Sequence, residues 1–223
     1  MTGSGFGSLA ERVVERSHEA ERRCSALRTD VNPDRKARVT FVVHAATTAT
    51  ATAAFAVDAP LDQRWIAALT DAAPRVPRHD HSRHGPDPAS SETHSGLGLS
   101  GRSDDDLCPW DPGQWTGRTL DDIAEADPQG LHAWLTDPDS TPHAGESLTA
   151  LIERVRRVLA SMPPGHTIAV AGAAIARAAV VTTMGAPPSA FWRIDAAPLT
   201  VTDLRGGTDR WTVRCTGRPL DES

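Results

Sequence analysis

The sharpest hydrophobic signal in the chain is residues 39–43, Val-Thr-Phe-Val-Val, an unbroken β-prone run that ends at His44. A run without alternation fits a strand buried on both faces of a sheet. Leu148, Leu151, Ile152, Val155, Val158 and Leu159 recur at helical spacing and predict an amphipathic helix, which Pro163-Pro164-Gly165 stops. Residues 167–171 predict a small-residue strand that turns at Gly172 into a helix over 173–184, with Gly185 as its C-terminal stop. Pro60 opens a further helical segment carrying Leu61, Trp65, Ile66 and Leu69. Residues 201–204 and 211–215, joined by Arg-Gly-Gly-Thr-Asp-Arg, read as a hairpin. Strands alternating with helices in this order imply an α/β protein with a largely parallel sheet.

Polar punctuation fills in the rest. Thr119 to Asp122 has the form of a capping box, and Asp127-Pro128 looks like a cap followed by proline at the first helical position. Residues 1–8 are expected to form a flexible lead, and residues 9–27 have helical composition, with Leu9, Val13, Ala20, Cys24 and Leu27 at rough three-to-four spacing. That appended helix can pack on its own domain or on a second copy, which would make a homodimer. Residues 74–106 are rich in Pro, Gly, Ser, His and Asp, so a long mobile excursion is expected there. The expected organisation is 1–37 as lead and helix, 38–216 as the domain, and 217–223 as a tail.

Composition narrows the function classes. The 223 residues suit one domain with a real core, and the net charge of −6 offers no basic field for nucleic acid or an anionic membrane. No run approaches the length of a membrane span, and no basic-then-apolar leader is visible, so a cytoplasmic protein is expected. Of the 23 basic residues only Lys36 is a lysine, a skew that reads as genomic base bias. Cys24, Cys108 and Cys215 are scattered without a Cys-x-x-Cys pair and read as free thiols.

Ligands of open α/β sheets bind beyond the carboxyl ends of the strands. Two such ends are readable: Val43-His44-Ala45, and Ala171-Gly172-Ala173, where a glycine opens a helix. Arg78-His79-Asp80-His81-Ser82-Arg83-His84, with His94 nearby, has spacings that could chelate a metal, but no apolar frame fixes the side chains. It reads as a solvated loop, and no metal or other cofactor is expected. Gly145-Glu146-Ser147 could hold a catalytic pair or cap the long helix, with Glu146 favoured by the helix dipole.

Taken together, residues 38–216 resemble the histidine phosphatase superfamily, the phosphoglycerate mutase-like fold, in its actinobacterial branch. The carriers are VTFVVHAATTATATAAFAVDAPLD, GPDPASSETHSGLGL, DPGQWTGRTLDDI, WLTDPDSTPHAGESL and FWRIDAAPLTVTDL, in this order. The resemblance implies a three-layer αβα sandwich. It also implies a phosphoryl-accepting histidine in Arg-His-Gly, a second arginine in Ser-Pro-x-x-Arg, an acid after Leu-x-Glu, and a second histidine after a later strand. Here His44 keeps the nucleophile position, but Val43 and Ala45 flank it. Ala89 stands for the second arginine, Pro109 for the acid and Gly172 for the second histidine.

A transferring phosphoryl group needs fixed cations, and removing one such group typically costs about 10²–10³ in rate. Ordinary phosphatase turnover is therefore not expected. The replacements are small or apolar and would open about 100–200 Å³ in the cleft, room for a neutral small-molecule ligand. His44 is the candidate acid or base of an isomerase, cyclase or lyase step, as in specialised metabolism. Val43, Ala45, Thr47, Ala89, Cys108, Pro109, Trp110, Gly172 and Ala173 are the candidate lining. The alternative is a non-catalytic pseudophosphatase that serves as a partner-binding scaffold.

Overall fold

The computed structural model describes residues 36–55, 59–207 and 210–220. The predicted helix over 9–27, the lead and the last three residues of the tail lie outside them. Six strands form one sheet: β1 (Ala37–Val43), β2 (His81–His84), β3 (Arg102–Ser103), β4 (Gly165–Ala171), β5 (Thr200–Gly207) and β6 (Arg210–Pro219). Their order is β3-β2-β4-β1-β5-β6, with β3, β2, β4 and β1 parallel and the β5–β6 hairpin antiparallel at one edge.

The unbroken apolar run of β1 is explained by its place inside this sheet. Val39, Phe41 and Val43 face the cluster under the helices α6 (Leu148–Ala160) and α7 (Ala173–Met184). Val42 on the other face joins the cluster under α2 (Arg64–Ala72) and α3 (Pro88–Gly96). β4 alternates in the same way, with Ala169 and Ala171 on the first face and Ile168 and Val170 on the second. The result is the three-layer αβα sandwich. Three further α-helices, α1 (Thr48–Ala51), α4 (Leu120–Ala126) and α5 (Pro128–Thr136), lie among the described residues. Thr119 and Asp122 form the expected capping box on α4, and Asp127 caps α5 through the Gly130 amide. The helix after Pro60 starts at Arg64, so Pro60 and Leu61 precede it. Among the described residues no helix is long and apolar enough to cross a membrane.

Two expected boundaries move. Residues 74–106 are not an irregular excursion: they supply β2, α3 and β3, and β2 lies between β3 and β4. The polar side chains of β2 find partners inside the fold, which hydrophobic patterning cannot register. Arg83 pairs with Asp104 at 2.8 Å, and Ser82 donates to the Ser100 carbonyl at 2.9 Å. The start of α3 carries a signal of its own, since Asp87 caps it ahead of Pro88 just as Asp127 precedes Pro128. The supposed tail from residue 217 also belongs to the sheet, because β6 runs to Pro219 and buried Leu220 donates its amide to Leu199.

The histidine-rich segment is distributed rather than gathered. The His79 imidazole meets the Pro77 carbonyl, His81 the Pro164 carbonyl, and His94 the Ser82 hydroxyl, while Asp80 accepts from the His166 amide. Among the described residues no three His, Cys, Asp or Glu side chains converge as metal ligands would.

Burial, with His84 and His79 adding like charge, pushes the buried imidazole of His94 down to about 4. Burial also lowers His143 and His166. A folded-state value below the unfolded one means that the unfolded chain binds the proton first, so acid favours unfolding. Stability is therefore expected to be full above about pH 6.5 and to fall as the pH drops toward 4. His94 alone should contribute about 2 kcal/mol of that loss by pH 5. Urea titrations at pH 7.5, 6 and 5 measure it, and a flat profile across that range would contradict the burial of these rings.

Candidate functional site

The parallel register pairs Val43 with Ala171, so the chain leaves β1 and β4 side by side and sets His44 against Gly172. The His44 amide donates to the Ala171 carbonyl at 3.0 Å. On its ring, Nδ1 lies 2.9 Å from the Ala45 carbonyl. A carbonyl only accepts, so Nδ1 carries the proton and Nε2 of the neutral ring keeps the lone pair. A β-carbon built on Gly172 would stand 3.7 Å from that Nε2. The basic nitrogen of His44 thus faces a glycine at the start of α7, with no side chain interposed by residue 172.

Behind His44 the structure is packed. The Ala45 amide donates to Thr93 Oγ1 at 3.0 Å, which ties the loop after β1 to α3. Thr47 caps α1 reciprocally with Thr50. Val43, Ala45 and Ala89 are only 3%, 0% and 4% exposed. Their burial leaves a ligand almost no surface at these three residues.

Pro109 and Trp110 have a different setting. The backbone from Asp106 to Pro109 is held by Arg154 of α6, a residue the sequence reading overlooked. Its guanidinium donates to the carbonyls of Asp106 (2.8 Å), Cys108 (3.0 Å) and Pro109 (3.5 Å). It also meets both carboxylate oxygens of Glu146, at 2.9 and 2.7 Å. Burial works against the charged guanidinium, but the Glu146 carboxylate outweighs it and holds the Arg154 pKa above its ordinary value. Glu146 is therefore the counter-ion of Arg154 and not half of a catalytic pair with Ser147. Ser147 itself caps α6 through the Ala150 amide. The Cys108 thiol is pushed up by burial, so it stays protonated and is no thiolate nucleophile.

Beside this turn lies a cavity of about 330 Å³. Pro109, Trp110 and Ala173, three of the sequence-predicted residues, line it, together with Trp134, Phe191 and Trp192. His44, Val43, Ala45, Thr47, Ala89, Cys108 and Gly172 do not line it. Trp110 stacks on Trp134 with centroids 5.1 Å apart, and Trp192 meets Trp134 edge-on at 4.7 Å. His143 also reaches the cavity and accepts the Gly145 amide at Nδ1, which leaves its proton on Nε2. The sequence hint for this region was the concentration of aromatic residues: four of the chain's six tryptophans and two of its four phenylalanines gather here.

Comparison with known proteins agrees with this architecture. The mycobacterial glucosyl-3-phosphoglycerate phosphatase Rv2419c superposes with a TM-score of 0.71 at 19% identity, over 82% of this chain and all of that one. YhfR of Bacillus stearothermophilus gives 0.75 at 17% identity, over 82% and 97% of the two chains. At such identities the likeness speaks for the fold alone. The bifunctional protein Rv2228c of Mycobacterium tuberculosis is 46% identical over 54 residues, 24% of this chain. That match spans only 15% of the relative's length. The profile of the histidine phosphatase superfamily (branch 1) matches residues 90–218, more than half of the sequence. With the six-stranded sheet and the strand-end histidine, that match makes this chain a member of the histidine phosphatase superfamily.

Proposed function

We propose that this chain has left phosphoryl transfer behind. In this reading it binds or converts a small molecule that presents an uncharged group to His44, with the imidazole as acid or base. The observation that carries the reading is the chemistry around His44. Val43 and Ala89 are buried and apolar, Gly172 faces Nε2, and Pro109 stands where the resemblance calls for an acid. None of these side chains can neutralise a transferring dianion, and a histidine without such cations lacks most of the electrostatic stabilisation this chemistry needs. An uncharged group needs no such cations. An imidazole with its Nδ1 proton fixed on a carbonyl is oriented to give or take a proton at Nε2.

The test is hydrolysis of p-nitrophenyl phosphate by the full chain and by His44→Ala. Both are expected to give the same background rate. Hydrolysis that exceeds the background and disappears in His44→Ala would overturn the reading.

A further inference from the structure

The cavity beside the site has an aromatic wall and a cation with no ion-pair partner among the described residues. Arg177 of α7 lines it, one helical turn beyond Ala173. Its guanidinium carbon lies 5.8 Å from the centre of the Phe191 ring. Its Nε is shielded from water and has no hydrogen-bond partner. Among the described residues it has no ion pair: Asp111, the carboxylate that lines the same cavity, accepts the Gly113 amide at 2.9 Å and is exposed. A partly buried guanidinium left this way has donors to spare, and its planar fork matches a carboxylate. The neutral His143 ring adds a second donor on the same wall, through Nε2–H.

The rings set the shape of the ligand. Trp110, Trp134, Trp192, Phe55 and Phe191 offer faces and edges suited to a flat π-system, and about 330 Å³ is at the small end of ligand cavities. An aromatic cage can also hold a quaternary ammonium. Here the Arg177 charge in the wall opposes any cation.

We propose that this cavity is a binding site for a planar aromatic carboxylate of one or two rings, its body among the tryptophans and its carboxylate on Arg177. The proposal goes beyond the reading of the site above, because His44 does not line this cavity. The ligand's one charge sits on Arg177.

Calorimetric titration of the full chain with indole-3-acetate, indole-3-acetamide and tetramethylammonium tests it. The acetate and the amide share a shape and differ in charge. Indole-3-acetate should bind at one saturable site, about 10–100-fold tighter than the amide, as a charge-assisted bond implies. Arg177→Gln should reduce the acetate to the affinity of the amide and change the amide itself less than about twofold. Arg177→Lys should restore part of the preference. Equal affinities for acetate and amide, no saturable acetate binding, or tighter binding of tetramethylammonium would each overturn the proposal. The wild-type comparison decides even if a variant fails to fold. The outcome is separable from the phosphatase test: His44-dependent hydrolysis with acid preference intact would remove only the reading of the site, and loss of preference without hydrolysis only the ligand class.

Discussion

Arg154→Ala is expected to lower the melting temperature by roughly 6–20 °C, from about 3–5 kcal/mol of lost stability. The side chain of Arg154 is 9% exposed and that of its partner Glu146 is 17% exposed. Removing the guanidinium strands a largely buried carboxylate and orphans the carbonyls of Asp106 and Cys108, which have it as a donor. Breaking one half of a buried pair is the costly event, because the other half keeps its desolvation penalty and loses its compensation. Arg154→Lys keeps the charge without the fork and should fall between wild type and alanine. Because the same contacts hold the turn that presents Pro109 and Trp110 to the cavity, the alanine variant should also expose tryptophan to solvent. A red shift of emission in the folded baseline reads that change. A melting temperature within 2 °C of wild type would mean that the staple contributes nothing.

Gly113→Ala should cost about 2–5 kcal/mol, whereas Gly117→Ala should cost only about 1–2 kcal/mol. Both glycines are left-handed, with φ of +49° and +80°, a region where a β-carbon is strained. They differ in what surrounds them. A β-carbon on Gly113 would run into the His143 carbonyl and the Gly145 amide, while on Gly117 it would meet nothing within 4 Å. The Gln114 amide donates to that same His143 carbonyl at 2.7 Å, so relieving the clash pulls on the bond that docks the 111–115 turn against residues 143–145. Urea denaturation of the two variants in parallel separates backbone strain from overpacking. Equal losses would show that the turn yields without resistance.

How much of this could be read along the chain depended on how local the signal was. Val39 to Val43 announced a doubly buried strand because an inner strand has no solvent face, and the spacing from Leu148 to Leu159 announced α6 because one stripe of that helix meets the sheet. Gly185 ended α7 in the left-handed conformation expected of a C-terminal glycine. His44 was legible as the strand-end imidazole, and the family could be recognised from spaced motifs. β2 was not legible, since its His-Ser-Arg-His sequence is inner-strand only by virtue of Asp104, Ser100 and His94, partners 12 to 21 residues away in sequence.

The site divides along the same line. The sequence alone determined which side chains stand at these positions: a histidine, a glycine, and a valine and an alanine where the resemblance calls for cations. Only the tertiary structure decided that Val43, Ala45 and Ala89 are buried. The aromatic cavity lies instead where Phe55, Trp110, Trp134 and Trp192 come together, drawn from four separate segments of the chain. Arg177 reads in one dimension as one polar position in an apolar helix, and Glu146 as a helix cap. Only the tertiary structure decided that the first has no counter-ion among the described residues and that the second serves Arg154. Ion pairing depends on distance in space, and the sequence fixes that distance only within a turn or two of the same element.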